Sequence, residues 1–214
     1  MSFVKIKSNA KINLALNVVG KSRKLHKIES LIAFIELHDL ILIKRIRSKN
    51  HRIVFNGKFS KNISSSNTIS KLLKLLERKK LIHQKYFIKV TKNIPQKSGL
   101  GGGSMNAASI LKYLLKKQKI NLTQTEILQI CSKIGSDVAI GMQNKTSILY
   151  SNGKLKPLNK GKELVIKIRP HLVHTSPKAQ KKDSKCLIKI FTFKNEQNAK
   201  RDKYSKWNIF RLIK

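Results

Sequence analysis

Pro95-Gln96-Lys97-Ser98-Gly99-Leu100-Gly101-Gly102-Gly103-Ser104-Met105-Asn106-Ala107-Ala108 is the stretch on which the reading of this chain turns. Four glycines fall within five positions and run straight into a helical pattern. Ala107, Ile110, Leu111, Leu114 and Leu115 recur at the three-and-four spacing of one apolar helix face. Upstream, Tyr86 to Val90 alternates and is rich in β-formers, so the order is strand, glycine loop, helix. Glycine reaches left-handed backbone conformations and lets a ligand approach the main chain. The helix behind it offers unpaired N–H groups and the positive end of its dipole, which suit a phosphate. A flexible connection would also use glycines, but the small residues that follow fit a packed first helical turn. The spacing matches neither Gly-x-x-x-x-Gly-Lys-Ser/Thr nor a Gly-x-Gly-x-x-Gly opening a β-α unit.

Working outward, Phe3–Ile6 and Lys11–Val18 read as two strands. In the second, Ile12, Leu14, Leu16 and Val18 share one face, and Lys11, Asn13, Ala15 and Asn17 the other. Lys11 and Asn13 thus point to the same side, which is either a polar cleft or the solvent face of an edge strand. His26 stands in a loop. Leu31–Ile46 and Arg52–Phe55 continue the sheet, and Asn56-Gly57 is a turn signal. Ser64-Ser65-Ser66-Asn67 supplies capping residues for an amphipathic helix through Ile69, Leu72, Leu73 and Leu76. Thr123-x-x-Glu126 is a capping box with Leu122 and Ile127 as its staple. That helix turns Ile127, Leu128, Ile130, Cys131 and Ile134 inward and stops at Gly135. Asp137 then caps the next turn or serves a site. Ser147–Tyr150 and Glu163–Ile168 are further strands.

Composition narrows the class. Lys and Arg number 47 against 10 Asp and Glu, a formal charge of +37, which by itself suits a polyanion such as RNA. The lysines are spread along the chain rather than gathered in one arm, aromatics are 6%, and no RNA-binding aromatic motif is present. Weak, non-specific polyanion binding is expected and specific nucleic-acid recognition is not. Cys131 and Cys186 give neither metal spacing nor a disulfide framework. Leu31–Ile43, the most apolar window, is broken by Glu36, His38 and Asp39, so no membrane span is expected. The opening alternates like a strand rather than a signal peptide, and a cytoplasmic location is expected.

The glycine stretch closely resembles the Pro-x-x-x-Gly-Leu-Gly-Gly-Gly-Ser-Ser-x-Ala-Ala loop of the GHMP small-molecule kinases, with Met105 where the pattern has its second serine. Ala10-Lys11-Ile12-Asn13-Leu14, then Leu25-His26-Lys27-Ile28, resembles the branch of those kinases that phosphorylates 4-diphosphocytidyl-2-C-methyl-D-erythritol. Leu25 replaces a tyrosine that stacks on cytosine there, and Lys27 an acid. Gly135-Ser136-Asp137-Val138-Ala139 matches a further motif, with Ala139 in place of proline.

The resemblance implies an α+β fold, the GHMP-kinase N-terminal domain with a mixed sheet and helices. It implies ATP and Mg²⁺ as cofactors and transfer of the γ-phosphoryl group to the substrate's 2-hydroxyl in non-mevalonate isoprenoid synthesis. Asn67, Pro95, Gln96, Lys97, Ser98, Gly99, Leu100, Gly101, Gly102, Gly103, Ser104 and Met105 would border ATP, with the Ser104 hydroxyl next to the metal. Asp137 would accept the substrate proton beside Lys11, while Asn13 and His26 would address the cytidine end.

Beyond Arg169-Pro170 the character changes. Residues 171–214 show no sustained period and carry many lysines, so a basic, poorly packed tail is expected after an ATP-binding domain at 1–170. The resemblance stops at about residue 170, short of the second domain of such kinases, and a frameshift or truncation would account for that. On that expectation turnover is absent or weak. The competing reading is a basic polyanion-binding protein without catalysis.

Overall fold

A computed structural model describes residues 2–21, 26–158, 162–168 and 186–192. Its frame is a long antiparallel pair, β1 (Val4–Lys21) and β2 (His26–Ile46). The two strands expected at the start are one. The register shifts between Asn9 and Lys11, Asn13 and Ala15, and Val18 and Gly20, so bulges replace the expected break. Each bulge inserts a residue and resets which side chains face inward. Simple alternation therefore fails: Lys11 is buried, whereas Leu16 and Val18 are exposed.

β2 is central to the sheet. One edge pairs with β1. The other takes β4 (Lys85–Thr91) at Leu40–Ile46 and the short β5 (Ser147–Leu149) at Ser30–Ile32. β3 (Arg52–Asn56) runs parallel to β4, and β6 (Leu155–Pro157) returns on β5, giving a mixed six-stranded sheet. Between Ile32 and Leu40, β2 is paired on the β1 side alone. The chain leaving β4 at that gap becomes the glycine loop.

Three helices cover the sheet: α1 (Thr68–Arg78), α2 (Gly102–Lys117) and α3 (Gln124–Ile134). Ile69, Leu72 and Leu76, then Ile110, Leu111 and Leu114, then Ile130 and Cys131 pack against Ile41, Ile43, Ile88 and Val90. Each fully buried Leu or Ile contributes about 1.5–3 kcal/mol. Both expected caps are present. Asn67 Oδ1 accepts from the N–H groups of Ile69 and Ser70, and Thr123 forms its box with Glu126. Leu128, expected inward, is exposed, because the buried stripe of α3 runs through Ile130, Cys131 and Ile134. The short α4 (Val138–Gln143) follows and lies tightly on α2: a Cβ at Gly141 would sit 2.6 Å from Ala108 Cβ.

β7 (Lys162–Ile168) pairs antiparallel with β8 (Cys186–Thr192). The sequence suggested the first but not the second, although Cys-Leu-Ile-Lys-Ile-Phe-Thr is a β-rich run. The remainder of 171–214, and Leu25, lie outside the described residues. Among the described residues no helix is long and apolar enough to cross a membrane.

Candidate active site

The loop is built by backbone chirality and close approach. Gly99 and Gly101 hold φ of +74° and +69°, where a Cβ is strained, and Gly101 is the N-cap of α2. Having no side chain, Gly101 leaves the first N–H groups of α2 without a side-chain cap. A Cβ at Gly102 would lie 2.9 Å from Ile94 Cγ2, so a larger residue there has to displace the loop. The loop is also stitched down: Leu100 O accepts from the Lys11 N–H (3.0 Å), and Gly103 O from Thr68 Oγ1 (2.8 Å). The result is a backbone fixed at a helix N-terminus whose first N–H groups have no side-chain cap, an arrangement of the kind that suits an anion.

The ion pair beside it is assembled from opposite ends of the domain. The bulge at Asn9/Lys11 turns Lys11 inward, and Gly135 ends α3 so that Asp137 begins α4. Lys11 Nζ and Asp137 Oδ2 are 3.3 Å apart. The lysine side chain is 7% exposed and the aspartate 31%, so the cation is enclosed while the carboxylate meets solvent. Lys11 Nζ also donates to Asn13 Oδ1 (3.3 Å). Asp137 occupies the N-cap position of α4 without making a side-chain cap bond. Of the two readings of this residue, the cap describes its backbone only. β1 pairs with β2 alone, as an edge strand does, but Lys11 is buried rather than on its solvent face.

Pair and loop adjoin. A Cβ at Gly101 would lie 3.0 Å from Lys11 Cγ and 3.6 Å from Asp137 Oδ2. Ser104 Oγ lies on the same side, 3.5 Å from where a Gly135 Cβ would be. Asn67 caps α1, whose next residue, Thr68, holds Gly103 O; this brings the two helix N-termini together. Thr68 is a contact that the sequence reading missed.

Other expected residues have structural roles. Gln96 gives its amide to the carbonyls of Phe59 and Lys61, 2.9 and 2.6 Å away, and so ties the loop to the preceding turn. Ser98 Oγ donates to Pro95 O (2.9 Å). Lys97 is exposed with a φ of 55°. The Met105 side chain is buried and its N–H bonds Gly101 O. Its Sδ and Cε lie 3.2 Å from where a Gly141 Cβ would be, filling the α2–α4 seam that a serine would leave open. Asn13 is exposed beside Lys11, and His26 opens β2.

Residues 67–152, which hold the loop, α1 to α4 and Asp137, match the family described as GHMP kinases N terminal domain. The chain is 53% identical over 178 residues to a 4-diphosphocytidyl-2-C-methyl-D-erythritol kinase of Pelagibacter ubique, covering 83% of this chain and 61% of that protein. Over these residues the chain is similar to GHMP kinases.

The kinase of the same name from Anaplasma marginale is 36% identical over 185 residues, covering 84% of this chain and 63% of the relative. Thus the chain spans about 60% of the length of the curated relatives it matches. In fold, it resembles a 4-(cytidine 5'-diphospho)-2C-methyl-D-erythritol kinase crystal structure with a TM-score of 0.62 at 22% identity, over 76% of this chain and 57% of the other. A mevalonate pyrophosphate decarboxylase from Streptococcus pyogenes gives 0.58 at 12% identity, over 83% and 57%. The likeness to both structures is one of fold, and the glycine loop and Lys11–Asp137 pair sit within it.

Proposed function

We propose that this chain phosphorylates the 2-hydroxyl of 4-diphosphocytidyl-2-C-methyl-D-erythritol with ATP as donor. The observation that supports the reading is the closeness of Gly101 to Lys11 and Asp137: a Cβ there would lie 3.0 Å from Lys11 Cγ and 3.6 Å from Asp137 Oδ2. The substrate class follows from the 53% identical relative of that name.

Phosphoryl transfer asks mainly for alignment and charge stabilisation. The N–H groups at the start of α2 and the loop from Gly99 to Ser104 would hold the donor's phosphates. Mg²⁺ takes few protein ligands when phosphates share it, so the Ser104 hydroxyl would be its protein neighbour. ATP supplies the phosphoryl group and Mg²⁺ neutralises charge on it. Asp137, about a third exposed, would accept the hydroxyl proton. Lys11, enclosed behind it, keeps the carboxylate oriented and stabilises charge that develops on the substrate oxygen. Asn13 on the lysine's far side and His26 at the start of β2 are proposed to address the cytidine end.

The test is calorimetric titration of the chain with MgADP, followed by product analysis with ATP and the cytidyl substrate. Saturable MgADP binding and a new phosphomonoester support the reading. RNA binding that falls with salt, with neither of those, would replace it by the polyanion reading.

A further inference from the structure

Asp39 is fully buried in β2, in a strand that is otherwise largely apolar on that side. Its carboxylate is saturated. Oδ1 accepts from the N–H groups of Asn93 (2.8 Å) and Ile94 (2.9 Å); Oδ2 accepts from the Lys92 ammonium and from Asn106 Nδ2 (2.8 Å). Lys92 and Asn106 are themselves buried. The donors come from the exit of β4 and from the first turns of α2, the two ends of the glycine loop.

The location explains the need. β4 leaves β2 after Thr91 pairs with Leu40; the Lys92 N–H still bonds Asn56 O on the β3 side, and the N–H groups of Asn93 and Ile94 are the ones that turn to Asp39. The neighbouring side chain of Asp39 supplies acceptors in place of a strand carbonyl. Asn106 supports the same assignment: its Oδ1 has no partner among the described residues, so its burial is offset through Nδ2 on Asp39. Gly102 rests directly on this cluster, because a Cβ there would lie 2.9 Å from Ile94 Cγ2 and 3.2 Å from Lys92 Nζ. The positive member of the buried pair therefore sits beside the first residue of α2, adding to the helix's own positive end.

We propose that Asp39 is a positioning residue for the nucleotide phosphates: by gathering Lys92, Asn93, Ile94 and Asn106, it sets where the glycine loop leaves the sheet and where α2 begins. It touches no substrate and acts through the loop backbone and Gly102. The proposal rests on the reading of that loop as a phosphate cradle.

The experiment titrates the full chain and its Asp39→Asn variant with MgADP by calorimetry and with adenosine by NMR, alongside thermal melts. Asparagine keeps the shape but turns a donor toward Lys92 and Asn106. The expected result is a fall of about tenfold or more in MgADP affinity, with adenosine affinity within about twofold of wild type. A purely structural role would weaken both ligands alike, and that result overturns the proposal. Unchanged MgADP affinity in a folded Asp39→Asn overturns it too, while leaving the cradle reading intact. A wild-type chain that binds no MgADP removes the cradle reading and this proposal with it. If Asp39→Asn does not fold, Asn106→Ala takes its place under the same criteria, with a fall of about threefold expected for loss of one of the four donors.

Discussion

Lys11 Nζ stands 3.3 Å from Asp137 Oδ2, joining the first strand to the turn between α3 and α4 across the mouth of the glycine loop. The pair is asymmetric: the cation is enclosed and the anion is open. Asp137→Asn keeps the shape and removes the proton acceptor, so kcat should fall by roughly 10²–10⁴-fold with little change in the melting temperature. An ADP-release assay coupled to a reporter enzyme measures the first and a thermal melt the second.

Lys11 is a different case, because its stem is packed against the loop. A Cβ at Gly101 would touch its Cγ, and its own N–H holds Leu100 O. Lys11→Met preserves the stem and the backbone bond while deleting the charge. It should therefore lower kcat on a similar scale and leave MgADP affinity within a few-fold, read by calorimetry.

Gly101 tests the loop geometry. Alanine there meets a left-handed conformation costing about 1–2 kcal/mol and a Cβ 3.0 Å from Lys11 Cγ. Gly101→Ala should weaken MgADP binding and slow turnover together. Gly153→Ala has the same positive φ in open space and should cost stability alone. Paired titrations and urea melts separate the two.

The strand–loop–helix order, both helix caps and the outline of the sheet were legible because each rests on local chemistry: periodicity, capping residues, glycine at a turn. The inward turn of Lys11 was not, since a bulge depends on pairing between β1 and β2 and leaves no period in the sequence. From spacing alone Asp137 stayed open between a cap and a site residue, because its partner lies on a distant strand. Asp39 read as a charge interrupting an apolar run. Its meaning needs the register of β2 against β4, which places it beside N–H groups that have left the ladder.

His51 gives a pH dependence whose sign is set by its burial. Tyr86 N–H donates to its Nδ1 (3.0 Å), and Nε2 lies 3.1 Å from Glu77 Oε1. Burial lowers its pKa from the ordinary 6.5, outweighing the attraction of Glu77. The unfolded chain then binds the proton more readily. The contribution of His51 is full above about pH 6.5 and is lost as pH falls through that value toward the lower folded one. Urea midpoints compared between about pH 7.5 and about pH 5 should show a smaller drop in His51→Gln than in wild type.

Cys131 lies fully inside the core, and burial pushes its thiol up to about 11. In a Cys186→Ser background it should react with a disulfide reagent at neutral pH only as fast as the protein opens. Labelling in the presence and absence of urea measures this.

The glycine loop and the Lys11–Asp137 pair are proposed to form one phosphoryl-transfer site. ³¹P NMR of the chain with MgATP and 4-diphosphocytidyl-2-C-methyl-D-erythritol tests it most directly. The account predicts a phosphomonoester resonance that grows with ADP and is lost in Asp137→Asn. ADP binding without that resonance, or equal product from Asp137→Asn, would contradict it.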